Sequence, residues 1–319
     1  MDQNPPKFSR DTLYCFYDLR HSPITFDFLH FLVFAEVVRR YRNFARLSVL
    51  ICTGDDRLFR QRTEKDVVLD DDEKLWRLRH VIAPACWSLQ SCRGVWIVHD
   101  RDDVRRFHAM LDQRQVFPLN YTPESPQMAF TIRQMVSLHK AGCNLNVFEA
   151  PATAKRKVAE WVLANKIHRP IAALSLRYDQ WHPWKNSNLN EWQKFEEHLL
   201  GLGLQPVVIP DTFLALRGLL PPTAAGTKVF FQGSLDFELR AAMYDAAFVT
   251  ISSHGGPAMY NLFRQDSRCL IFQGDEPNPN EAEFFRMWNV KWGDQPPWAS
   301  PLQKIVFKRD SFENLVNSL

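Results

Sequence analysis

Phe248-Val249-Thr250-Ile251-Ser252-Ser253-His254-Gly255-Gly256-Pro257-Ala258-Met259-Tyr260-Asn261 is the stretch whose reading decides the fold. An apolar, β-branched run ends at two hydroxyl residues, and a Gly-Gly-Pro turn follows. An apolar-periodic segment, Ala258 to Phe263, then reads as a helix. A strand, a small-residue loop and a helix start make a corner with open backbone N–H groups and a positive helix end, which suits a phosphate or diphosphate. The glycines permit close approach of a ligand to the backbone, and Pro257 suits a first helical turn. The same residues also fit an ordinary βα connection, because the GxGxxG spacing is missing.

Outward from this corner, strand and helix patterns alternate. Ile171–Leu176 and Pro206–Ile209 read as strands before it, and Cys269–Phe272 as one after it. Leu189–Leu202 and Phe237–Ala247 read as helices. The first half repeats the alternation, with strands at Leu13–Tyr17, Leu47–Cys52, Gly94–Val98 and Leu145–Ala150. Helices are expected at Thr25–Tyr41, Leu75–Cys86, Asp103–Leu111 and Gln127–Lys140. Such alternation predicts parallel sheets covered on both faces. At 319 residues the chain is long enough for two cores. The expected architecture is therefore α/β, with two βα halves facing a cleft and ligands beyond the C-terminal strand ends.

The bulk numbers narrow the function. Net charge is +3, from 39 basic and 36 acidic residues, too even a balance for a nucleic-acid binder. The N-terminal residues show no signal-peptide core. The longest apolar stretch, Phe28–Val38, is broken by His30 and Glu36 and is too short to span a bilayer. The six cysteines are scattered with no CxxC, which predicts reduced core thiols and a cytoplasmic protein. Metal use is not expected: no HExxH occurs, and Asp70-Asp71-Asp72 reads as a solvated helix start rather than a DxD. A GxSxG elbow and a Walker loop are both missing.

The run from Leu235 through Ile271 resembles the donor half of GT-B glycosyltransferases. Its loop is similar to the Asp-Ser-Gly-Pro loop of heptosyltransferases, with Ser253-His254 in place of the acid and serine. It is also similar to the Ser-Gly-Gly loop of GT-B-fold UDP-sugar 2-epimerases, without their following Glu pair. Ser175-Leu176-Arg177-Tyr178-Asp179, with Trp184-Lys185-Asn186-Ser187-Asn188 and Glu191-Trp192, resembles the Arg-containing loop after the first donor-domain strand, as in fucosyltransferases. It is similar too to a signature of bacterial surface-glycan cluster proteins. The resemblance implies GT-B architecture: two Rossmann-like domains, an acceptor-side domain over 1–155 and a nucleotide-sugar donor domain over 156–300. It also implies a C-terminal helix over 301–319 packing back towards the first domain.

On that reading the activity is metal-independent transfer of a sugar from a nucleotide-sugar donor to a glycan, lipid-linked or protein acceptor, in bacterial surface-polysaccharide synthesis. A 2-epimerase or hydrolase on the same fold, and a non-catalytic GT-B-like binding protein, stay open. The donor partner is a nucleotide sugar; no nucleic acid, no transmembrane segment and no cofactor are expected, and peripheral membrane contact stays open.

Arg177, just past a buried strand, offers a forked donor suited to a diphosphate whose charge grows as the sugar leaves. Lys185 is a second cation at the same mouth. The donor loop itself supplies Ser252, Ser253, His254, Gly255 and Gly256. Asp211 fits either a ribose hydroxyl or a turn cap, and the turn cap is favoured. Gln232 and Gly233 follow another strand end and fit backbone contacts to the base. An inverting transfer needs a group that takes the acceptor proton. Asp18, directly after the first strand, is the expected base, as in heptosyltransferase-like enzymes, and His21 in the same loop is the other candidate. Asp55, Asp56, His99 and Asp100 follow later strands on the same logic.

Overall fold

The computed structural model describes residues 9–54, 58–60, 70–126, 132–178, 183–277, 282–283, 285–286 and 290–319. It divides into two compact units, Met1–Thr131 and Ile132–Leu319.

The first unit is built on four parallel strands in the order β3-β2-β1-β4. They are β1 (Thr12–Asp18), β2 (Arg46–Cys52), β3 (Cys92–Val98) and the short β4 (Val116–Phe117). Every residue of β1 is buried, which explains its unbroken apolar run: a parallel strand is covered on both faces. Helix α1 (Phe28–Tyr41) follows β1, α2 (Asp71–Arg77) precedes β3, and α3 (Arg101–Ala109) follows it. Asp70 caps α2 by accepting from Glu73 N at 2.7 Å, with Asp71 and Asp72 in the first turn. The acidic triplet is thus a helix start, as its sequence suggested.

The second unit holds six parallel strands in the order β10-β9-β8-β5-β6-β7. Its elements begin with α4 (Ile132–Lys140), α5 (Ala152–Ala164), β5 (Ile171–Ser175), α6 (Leu189–Gly201), β6 (Gln205–Ile209) and α7 (Thr212–Leu216). They continue with β7 (Lys228–Val229), α8 (Gln232–Leu235), α9 (Phe237–Ala246), β8 (Val249–Ser253) and α10 (Met259–Leu262). The last three are β9 (Cys269–Phe272), β10 (Gln303–Val306) and α11 (Phe312–Ser318). Counted from β5, this is the 3-2-1-4-5-6 arrangement of a Rossmann sheet. Its core packs Trp192, Phe195 and Leu199 of α6 against Leu174, Val208, Ile251 and Leu270. Each such side chain contributes about 1.5–3 kcal/mol on burial.

Several expectations need correcting. The units part after Thr131, well before the expected boundary at 155, because the segment ahead of β5 is tied to the second unit. Val147 and Phe148 donate backbone N–H groups to the Phe263 carbonyl at 2.9 and 3.1 Å, and Ala150 N donates to Asp245 Oδ2 at 2.9 Å. That segment makes an isolated bridge at Phe148, not the strand expected over Leu145–Ala150. The C-terminal helix, expected to turn towards the first domain, packs into the core of its own unit. Leu315 of α11 is fully buried in the same core as Trp192 and Phe195, and Phe312 N donates to Glu191 Oε2 at 2.8 Å. Strands β4 and β10 were not expected. Asp55 and Asp56 lie outside the described residues. All six cysteines are free, and five are buried. Among the described residues, no helix is long and apolar enough to cross a membrane.

Candidate functional site

In the second unit, β5 and β8 are neighbours, paired in parallel with Ser175 opposite Ser252. The chain runs from β5 to β6 on one side, and from β8 to β9 on the other. The loops leaving β5 and β8 therefore diverge and open a crevice at the C-terminal strand ends, where open α/β sheets bind ligands. Arg177 stands two residues beyond β5. Its backbone N–H donates to Ser187 Oγ at 2.8 Å, and Ser187 N donates to the Arg177 carbonyl at 2.9 Å. Ser187 Oγ and Ser253 Oγ share a 2.6 Å hydrogen bond. Arg177 Nη1 donates to the His254 carbonyl at 3.2 Å. The structure thus brings Arg177, Ser253, His254 and Gly255 together at one corner.

Gly255 has an extended backbone, φ −170°, that any residue adopts. A Cβ there would lie 3.7 Å from Arg177 Nη1, so glycine here keeps space open beside the guanidinium. Among the described residues, the N–H groups of Gly255 and Gly256 donate no hydrogen bond. The helix expected from Ala258 to Phe263 is shorter than anticipated: a 3-10 turn at Gly256–Ala258 leads into the four-residue α10. Backbone amides rather than a long helix dipole are what this corner offers an anion. Ser252 is buried beneath it, and its Oγ has no partner among the described residues.

A cavity of about 550 Å³ adjoins the corner. Ser253 and His254 form one wall, Trp184, Lys185 and Asn186 another, and the ends of β9 and β10 close it through Gln273–Pro277 and Lys308–Asp310. Burial, and then the charges of Lys185 and Arg177, push the His254 pKa down to about 3. Its imidazole is therefore neutral across the physiological range. Asp310 is a knot at the cavity floor: Oδ2 accepts from Trp192 Nε1 at 2.6 Å, Asn188 N at 3.0 Å and Ser253 Oγ at 3.4 Å.

Asp211 caps α7, accepting from Phe213 N at 2.8 Å. Burial raises its pKa, while backbone hydrogen bonds and the charges of Arg240 and Arg177 oppose the rise. The turn-cap alternative is the one the structure has. Gln232 is exposed at the start of α8, and Gly233 is buried, where a Cβ would meet Phe230 at 2.7 Å. Neither is joined to the Arg177 corner by a hydrogen bond among the described residues. Asp179, two residues beyond Arg177, lies outside them.

Sequence reasoning missed Arg240, Gln273 and Asp310. Arg240 is buried and donates to the Gly233 carbonyl at 2.7 Å, Ser175 Oγ at 3.2 Å and the Pro210 carbonyl at 3.3 Å. It stands on the buried face of α9 with Phe237, Ala241 and Tyr244, and that i, i+3, i+4 spacing was the available signal.

In the first unit, Asp18 ends β1 with its side chain fully buried. Oδ2 accepts from Arg101 Nη1 at 2.9 Å and Tyr121 Oη at 3.0 Å, and Oδ1 accepts from Arg20 N and Nε at 3.1 and 3.2 Å. Burial first, and then Cys52 and Asp18, raise the Tyr121 pKa, so its hydroxyl stays a donor. Arg101 is itself buried and ties the network to the Pro123 carbonyl at 2.8 Å. Such a carboxylate organises the strand end; it has no surface at which to meet a hydroxyl. His21, whose N donates to the Asp18 carbonyl at 3.1 Å, is half-buried in the loop that Asp18 holds. His99 is exposed after β3, with Nδ1 3.4 Å from Thr53 Oγ1.

No family model matches the chain, and no curated protein matches its sequence. Solved structures similar to the chain include two glycosyltransferases. One is the glycosyl transferase family 9 from Veillonella parvula DSM 2008, at TM-score 0.56 and 10% identity, covering 93% of this chain and 86% of that one. The other is the E. coli ADP-heptose LPS heptosyltransferase II, at TM-score 0.51 and 10% identity, covering 96% and 94%. At this identity the likeness is one of fold. The chain has the α/β GT-B fold of these glycosyltransferases, as the resemblance of residues 235–271 implied.

Proposed function

We propose that this protein is a glycosyltransferase that moves a sugar from a nucleotide-sugar donor to a hydroxyl of a glycan, lipid-linked or protein acceptor. The observation that carries the reading is the Arg177–His254 contact at the β5/β8 crevice, beside the amides of Gly255 and Gly256, which have no acceptor among the described residues. A diphosphate there meets a guanidinium fork and two N–H donors fixed before the reaction begins. As the bond between the anomeric carbon and the diphosphate oxygen breaks, negative charge grows on that oxygen. Donors already in place stabilise this charge without reorganising. Lys185, whose positive charge reaches His254, adds a further cation at the cavity wall. These groups stabilise the leaving group without requiring a metal ion.

The acceptor hydroxyl loses its proton as its oxygen bonds to the anomeric carbon. Of the two residues expected to take that proton, His21 keeps accessible surface, and an imidazole is the side chain most often used as a general base. Asp18 is enclosed by Arg20, Arg101 and Tyr121. We assign the base to His21 and the ordering of its loop to Asp18. The setting that fits is surface-polysaccharide synthesis in the bacterial cytoplasm.

The test incubates the protein with a panel of nucleotide sugars and glycan acceptors and follows nucleoside diphosphate release and glycoside formation. Acceptor-dependent release supports transfer. Conversion to an epimer, or release that is independent of acceptor, overturns it.

A further inference from the structure

Resting on the donor reading above, we propose that the cavity at the ends of β8, β9 and β10 holds the glycosyl group of the donor, and that this group is a neutral, polyhydroxylated sugar.

Position is the first argument. The cavity shares Ser253, His254 and Lys185 with the diphosphate corner. A group attached to a diphosphate at Arg177 has the cavity beside it, and about 550 Å³ is ample for a sugar ring within the usual range of ligand pockets.

Charge is the second. Among the described residues, three cations line the cavity, Lys185, Lys308 and Arg309, against three carboxylates, Asp275, Glu276 and Asp310. Arg309 Nε lies 3.1 Å from Asp275 Oδ2, and Asp310 is already an acceptor for Trp192 and Asn188. With the diphosphate also drawing on Lys185, the described lining carries no surplus of positive charge for a carboxylated or phosphorylated sugar.

Polar chemistry is the third. The Gln273 side chain is more than nine-tenths buried in the cavity wall, and its amide nitrogen has no partner among the described residues. Buried amides normally have one, and an orphan at a cavity wall marks a place for a ligand. The amide and the neutral His254 imidazole, whose Nδ1 is also unpartnered, suit hydroxyls, which both donate and accept. Trp184, 67% exposed at the rim, offers an aromatic face to the apolar C–H side of a sugar ring.

The experiment is calorimetry with UDP, ADP and GDP, their glucose conjugates, and UDP-glucuronate, on the wild type and on Trp184→Ala and Gln273→Leu. For the base that binds, the glucose conjugate should bind about tenfold more tightly than the free diphosphate, the gain of one or two good hydrogen bonds with stacking. The glucuronate should show no such gain. Trp184→Ala, at an exposed position that leaves the fold intact, and Gln273→Leu should each erase the gain while keeping diphosphate affinity. If a diphosphate binds but its neutral sugar adds nothing, or the glucuronate binds more tightly than glucose, this inference is overturned and the donor reading stands. If no diphosphate binds, both fall.

Discussion

Arg177 Nη1 donates to the carbonyl oxygen of His254 at 3.2 Å, joining the loop that leaves β5 to the loop that leaves β8. These residues are 77 positions apart in the chain, and the parallel pairing of β5 with β8 is what makes them neighbours. The contact points the guanidinium at the backbone of the Gly-Gly turn, where an anion meets side-chain and main-chain donors at once.

Asp18 is predicted to be structural. Asp18→Ala leaves the buried Arg101 guanidinium without its carboxylate and should lower unfolding free energy by about 3–5 kcal/mol, the cost of breaking a buried ion pair from one side. Urea denaturation followed by circular dichroism measures it. A loss below about 1 kcal/mol, the scale of an exposed pair, would count against the assignment.

His21 carries the opposite expectation. His21→Ala should keep the thermal midpoint and the affinity for nucleoside diphosphate while lowering turnover by about 10²–10⁴-fold, the size of a general-base contribution. Full turnover in this variant would remove His21 from the mechanism.

The switch-point strands were legible because β5 and β8 are buried end to end and read as apolar runs. The turn after β8 and the arginine after β5 are local signals, and both lie where the sequence put them. Strand β10 was hidden because a polar residue occupies an inward position: Gln303 is buried and donates to the carbonyls of Asn261 and Arg264 at 2.6 and 3.0 Å. Two residues are all that β4 contributes, too few for any period. Asp310 and Gln273 were illegible for a different reason. Their meaning comes from partners more than a hundred residues away in one case and from a cavity in the other. The apolar face of α11 showed that it must pack, but held nothing to say against which core.

Asp310 ties three segments of that cavity together. Asp310→Ala removes the acceptor for Trp192 Nε1, whose ring is fully buried, and should destabilise the second unit by about 1.5–3 kcal/mol, the range for a hydrogen bond to a charged group. Tryptophan fluorescence during urea unfolding reports it. An unchanged midpoint would mean that the knot contributes nothing net.

Glu196 gives a pH signature. It is fully buried on α6, where Oε2 accepts from Ala224 N at 2.7 Å and Thr227 Oγ1 at 2.9 Å. Burial raises its pKa from 4.5 to about 7. Between these values the folded chain binds more protons at this site than the unfolded chain, so stability falls as pH rises from about 4.5 to about 7 and then levels. Glu196→Gln should remove this dependence, with the variant gaining on the wild type as pH rises through the window. Parallel stability profiles for the two proteins would contradict the shift.

On the proposed function, the β5/β8 crevice binds a nucleoside diphosphate through Arg177. Calorimetric titration of UDP, ADP and GDP into wild type and Arg177→Ala, with EDTA present throughout, tests it most directly. At least one of the three should bind saturably without metal, with a loss of about 1.5–3 kcal/mol in the variant. No binding by any of them, or equal affinity in a folded Arg177→Ala protein, would contradict it.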